Sequence, residues 1–139
     1  MSTTGNITKG KGITKLYSAD IFVSDVDKAI DFYVNKLGFT KRTDEPMDEQ
    51  GHRWVEVALP GSDTAFILAH GFGYWSADKV GGYSGLMFSV DDMASTFEML
   101  KARGVTFKSE PDTTPYGIFS EVADPDGNTF MLHQDLPQN

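Results

Sequence analysis

Apolar residues recur along this chain with two alternating periods. From Leu16 to Ser24, LYSADIFVS, apolar residues fall at Tyr17, Ala19, Ile21 and Val23, the spacing of a strand with one buried face. Directly after it, apolar positions 26, 29, 30, 33 and 37 form the stripe of a helix that stops at Gly38. The second half repeats the grammar: GLMFSV (85–90) predicts a strand, DDMASTFEMLKAR (91–103) a helix with apolar 93, 94, 97 and 100, and Gly104 its end. Each helix opens on aspartate, which suits the free N–H groups and positive end of a helix. Three more strand-like runs follow each helix, at 39–43, 53–58 and 64–70, then at 105–109, 117–123 and 128–133. Pro60 and Gly61 punctuate the last pair of the first half, and Pro125, Asp126 and Gly127 that of the second. The pattern predicts an α+β chain of two tandem βαβββ modules, about 14–70 and 84–134. A glycine- and aromatic-rich linker (71–83) joins them, and a polar leader (1–13) and a short tail (135–139) flank the single domain.

Composition narrows the partners. With 139 residues the chain is long enough to bury a core unaided, and it contains no cysteine, which excludes a disulfide scaffold, a thiolate zinc site and a cysteine nucleophile. Twenty acidic against twelve basic residues give a net charge of −8 with no basic run, so nucleic acid is not an expected partner. The sequence offers no membrane-spanning run or signal peptide, and a cytoplasmic location is the expectation. No serine sits in a nucleophile elbow, and the glycine pairs lack the strand–turn–helix setting of a phosphate loop.

The segments SDVDKAIDFYVNKLGF (24–39), RWVEVALPGSDT (53–64) and DPDGNTFMLHQ (124–134) resemble the vicinal oxygen chelate superfamily, which includes glyoxalase I, extradiol dioxygenases, fosfomycin-modifying enzymes and bleomycin-resistance proteins. The resemblance covers roughly residues 14–134. KRTDEPMDEQGHRWVEVALPG (41–61) is similar to a bacterial glyoxalase-like branch. The resemblance implies modules that curl into halves of an open, cup-shaped barrel, the glyoxalase/bleomycin resistance fold, with the ligand held in the cup. It also implies a homodimer. Metal-dependent members place His, Gln or Glu on the first and last strand of each module, where a divalent ion polarises substrate oxygens. Laid on that pattern, Ser18, Leu68, Gly85 and Met131 take the four positions, which is no competent ligand set for a divalent ion.

Strand alternation supplies the remaining candidates. Ser18, Asp20 and Phe22 are expected on the cup side of the first strand, and Gly85, Met87 and Ser89 on that of the fifth. On the closing strands Phe66, Leu68 and His70 are assigned to the cup in one module, and Met131 and His133 in the other. Asp20, His70 and His133 each lie two residues beyond a family ligand position, so a displaced metal site of two histidines and a carboxylate is the alternative to no metal at all. Glu56 and Glu121 are the remaining strand carboxylates, with the solvent side as their ordinary fate. Trp54 and Trp75 are candidate ligand contacts among an aromatic set that includes Phe72, Tyr74, Tyr83, Tyr116 and Phe119. Two functions are therefore expected in order: a metal-free protein that binds or sequesters an aromatic or cationic compound, then a glyoxalase-, isomerase- or dioxygenase-type enzyme using a divalent ion at the displaced site. Whether a reaction is catalysed stays open at this point.

Overall fold

A computed structural model describes residues 10–137, so residues 1–9 of the expected leader and 138–139 of the tail lie outside the described residues. The two-module grammar holds. Strand β1 (Ser18–Phe22) leads into helix α1 (Val26–Ile30), then β2 (Thr40–Pro46), β3 (Arg53–Ala58) and β4 (Ala65–Ala69). The second module runs β5 (Gly82–Ser89), α2 (Met93–Ala102), β6 (Thr106–Thr114), β7 (Gly117–Ala123) and β8 (Asn128–Gln134). The strands form two four-stranded sheets in the corresponding orders β1-β4-β3-β2 and β5-β8-β7-β6, with the first and last strand of each module parallel, and no barrel closes.

The aspartates at the helix starts do what their chemistry suggests. Asp25 accepts from the Lys28 N–H and Asp92 from the Ser95 N–H, each satisfying a donor that the first helical turn leaves free. The first helix does not stay α-helical: Asp31–Lys36 winds as a π-helix, a form that no simple periodicity predicts. That wider turn belongs to the segment that carries Phe32 and Tyr33 into the core.

One core serves both modules. Ile21, Val23, Val55, Val57, Phe66 and Leu68 from the first sheet share a cluster with Val122, Phe130 and Leu132 from the second, and with helix residues Tyr33, Met93 and Leu100. Phe88 joins the halves edge-on, with ring centroids 5.7 Å from Phe39, 5.4 Å from Phe66 and 5.3 Å from Phe130. Thus the helix-side faces of the two sheets are united. The helix-free face of the first sheet has a separate small cluster, Ala65, Ile67 and Ala69 with Phe22, Trp54 and Phe72, which contains no second-module residue.

Hydrogen bonds fasten the modules at one end. Asn128 Nδ2 donates to the Phe22 carbonyl at 2.9 Å, and the backbone N–H of Ser24 donates to Asp126. Among the described residues no helix is long and apolar enough to cross a membrane.

Candidate ligand-binding site

Register decides which side chains share a face. In the first sheet Asp20 lies beside Ile67 and Ile67 beside Glu56, while Phe22 lies beside Ala69. In the second, Met87 lies beside Met131 and Met131 beside Glu121, while Ser89, His133 and Phe119 form the next row. The helix-free faces therefore correspond row by row. Ile67 is the counterpart of Met131, and Glu56 that of Glu121.

This corrects the expected face of β4. Phe66 and Leu68 point to the helices, 7% and 0% exposed in the shared core, and neither faces a cup. Ile67 holds the place assigned to Leu68. The cause is a one-residue slip, which in a strand turns every side chain to the other face. Between paired positions the β3–β4 connection runs from 56 to 67, a step of 11, whereas β7–β8 runs from 121 to 131, a step of 10. The pairing expected between Leu68 and Met131 therefore fails; Leu68 corresponds to Leu132, and both are buried.

Ser18, Asp20 and Phe22 do lie on the helix-free side of β1, and Met87, Met131 and His133 on that of the second sheet. Gly85 falls in the irregular stretch between Tyr83 and Met87, where the β5 register shifts. Tyr17, expected against the helices, instead precedes the strand and sends its hydroxyl to Glu56 Oε2 at 3.2 Å.

The first helix-free face is filled by its own residues. Trp54 packs on Phe72 at 6.0 Å between centroids, and its indole N–H donates to Glu56 Oε2 at 2.8 Å. Glu56 is left only 6% exposed. His52 closes the edge: its ring meets Phe72 at 6.2 Å, while Asp48 accepts from its Nδ1 at 2.7 Å. That hydrogen bond holds the Asp48 carboxyl below the usual aspartate range.

The second helix-free face is open. Met87 is 53% exposed, and Met131, Phe119, Glu121 and His133 are half-buried around it. His133 lies against Phe119 with ring centroids 4.8 Å apart. Gly117 makes that placement feasible: a Cβ there would meet His133 Nε2 at 2.6 Å and the Gln134 carbonyl at 2.8 Å. In sequence Phe119 stands only in the wider aromatic set and Glu121 only among the strand carboxylates, although the repeated run Glu-Val-Ala at 56–58 and 121–123 signals that the two glutamates are equivalent.

His70 and Trp75 belong to neither face. His70 Nδ1 lies 2.9 Å from the Val23 carbonyl, the Trp75 indole N–H donates to the same oxygen at 3.0 Å, and the two rings meet edge-to-face with centroids 4.5 Å apart. Tyr74 is exposed at the linker surface. The structure consequently does not bring Asp20, His70 and His133 together, and among the described residues no three His, Asp or Glu side chains are placed to hold a metal ion. At the four family positions the corrected set is Ser18, Ile67, Gly85 and Met131, which supplies one hydroxyl and one thioether. That donor chemistry does not fit a divalent ion.

Comparison with known proteins agrees with the architecture. A glyoxalase-superfamily protein from Sphaerobacter thermophilus is 40% identical, with a TM-score of 0.78 over 88% of this chain and 98% of its own. TnmS3, an antibiotic binding protein from Streptomyces sp. CB03234, is 34% identical, with a TM-score of 0.77 over 91% of this chain and 99% of its own. A probable lactoylglutathione lyase from Synechocystis sp. is 28% identical over 118 residues, covering 82% of this chain and 90% of that protein. Residues 15–132 match the family model itself, and with two βαβββ modules in corresponding strand order the chain belongs to the Glyoxalase/Bleomycin resistance protein/Dioxygenase superfamily.

Proposed function

We propose that this chain binds an aromatic or cationic small molecule on the helix-free face of its second sheet, without a metal ion. The observation that carries the reading is the contrast between the two faces: the first is packed by Trp54, Ile67 and Phe72, while the second presents Met87, Met131, Phe119 and His133 to the outside. Methionines adapt to irregular ligands and aromatic rings supply flat contact area. The likeness to an antibiotic binding protein supports a binding role over the length of the chain. An exposed apolar face is also where a second copy would pack, so the working unit is a homodimer whose partner completes the pocket. The proposed setting is the cytoplasm.

The test is a ligand-observed NMR screen of neutral and cationic aromatic compounds against the wild type and Met131→Glu. Hits lost in the variant, with its melting temperature retained, support the reading. Hits that survive the variant place the site elsewhere.

The similarity to a probable lactoylglutathione lyase favours a second reading, a metal-dependent lyase or isomerase. Ser18, Ile67, Gly85 and Met131 speak against it, because none supplies a deprotonated nitrogen or oxygen that would offset dehydration of the ion. Elemental analysis of mildly purified protein separates the two readings: about one equivalent of nickel, zinc, iron or manganese per chain selects the lyase.

A further inference from the structure

The repeat sets two carboxylates at the same point of the fold and surrounds them differently. Glu56 and Glu121 stand on the third strand of their modules, opposite Ile67 and Met131, each two residues after an aromatic side chain on the same face. Glu56 finds its donors within the chain, the Trp54 indole at 2.8 Å and the Tyr17 hydroxyl at 3.2 Å. At Glu121 the indole is replaced by Phe119, which has no donor, and no described residue hydrogen-bonds to or ion-pairs with its carboxylate. It is nonetheless half-buried, beside Met131 and near Met87. A carboxylate partly withdrawn from water among apolar side chains is unfavourable until a donor reaches it. Its surroundings add negative charge. Asp112 lies across from Phe119, and Asp135 approaches His133 Nε2 at 3.5 Å.

We propose that Glu121 anchors the protonated amine of an aryl-alkylamine whose ring lies on Phe119 and His133. The ammonium takes at Glu121 the place that the Trp54 and Tyr17 donors fill at Glu56. This assignment rests on the proposed binding role and gives it a chemical class. Two residues along a strand separate Phe119 from Glu121, about 6–7 Å between Cα atoms, so ring and nitrogen are two or three bonds apart. The ring gains stacking area, the nitrogen a charge-assisted hydrogen bond, and the net charge of −8 raises the local concentration of such cations.

Isothermal titration of the full chain with 2-(1-naphthyl)ethylamine and with its neutral counterpart 2-(1-naphthyl)ethanol tests the assignment. The amine is expected to bind at least tenfold more tightly. Glu121→Gln should erase that preference, whereas Glu98→Gln, which removes the same charge from the exposed side of α2, should keep it. Equal affinity for the two probes in the wild type overturns the amine assignment while leaving the binding face standing. A preference that survives Glu121→Gln also overturns it. If neither probe binds, the amine assignment and the binding face both fall. The wild-type comparison needs no variant to fold, and circular dichroism of Glu121→Gln confirms that its loss is local.

Discussion

The Tyr33 hydroxyl donates to Asp124 Oδ2 at 2.8 Å, tying the π-helical turn of the first module to the last hairpin of the second. Both groups are buried, and Asp124 also accepts from Asp126 N, Asn128 N and Asn128 Nδ2, so its carboxylate organises the turn that the Pro125–Gly127 stretch makes. Burial first, and the Asp124 charge second, push the phenol well above its ordinary pKa.

That shift fixes an alkaline limit. In the unfolded chain Tyr33 loses its proton near pH 10, while the folded chain holds it, so the stability it contributes is intact below about pH 10 and falls as pH rises further. Melting temperatures of the wild type should drop more steeply between pH 10 and 11.5 than those of Tyr33→Phe. At pH 7 the same variant should lose about 1.5–3 kcal/mol, the range for a hydrogen bond to a charged group. Parallel melting curves for the two proteins above pH 10 would contradict this account.

Leu68 and Met131 should respond unequally to substitution. Leu68 is fully buried, and Leu68→Ala is expected to cost about 2–5 kcal/mol in chemical denaturation. Met131→Ala, on the half-buried open face, should cost under about 1.5 kcal/mol, because little of a cavity forms there. Equal losses would mean that the β4 register is wrong.

Arg53 grips Asp44 with two hydrogen bonds, Nε to Oδ1 at 3.1 Å and Nη2 to Oδ2 at 2.8 Å, and reaches Asp27 at 2.8 Å. The guanidinium holds the Asp44 carboxyl below the usual aspartate range. Its contribution is therefore complete above about pH 4, the unfolded value, and disappears as pH falls through the lowered folded value. Arg53→Gln should cost no more than about 1 kcal/mol at pH 7, the scale of a partly exposed pair. The difference from wild type should close on acidification below pH 4, as urea titrations at each pH will show.

Gly117 should tolerate no side chain. Its φ of 137° and the 2.6 Å that would separate an added Cβ from His133 Nε2 combine strain with a clash, so Gly117→Ala is expected to destabilise by more than about 1 kcal/mol. It should also move the His133 ring resonances in NMR spectra. A stable variant with unchanged His133 signals would show that the ring does not rest on this glycine.

Much of the architecture was written in the sequence. The helical stripes, the aspartate caps and the paired turns determined two βαβββ modules, because local periodicity and capping chemistry need no distant partner. Alternation also put Asp20, Met87 and Met131 on the helix-free side, where the register has them, since β1, β5 and β8 carry polar residues that break the apolar run. The run Ala65–Ala69 gave no such mark. All five residues are apolar and buried, so its two faces look alike in sequence, and only pairing with β1 and β3 revealed that Ile67, not Leu68, faces away from the helices. Tertiary structure likewise took His70 and Trp75 to the Val23 carbonyl and covered Glu56 with Trp54 and Tyr17, while leaving Glu121 open. Those outcomes depend on which distant groups meet and compete for the same donors and acceptors, and a period along one strand carries no record of that competition.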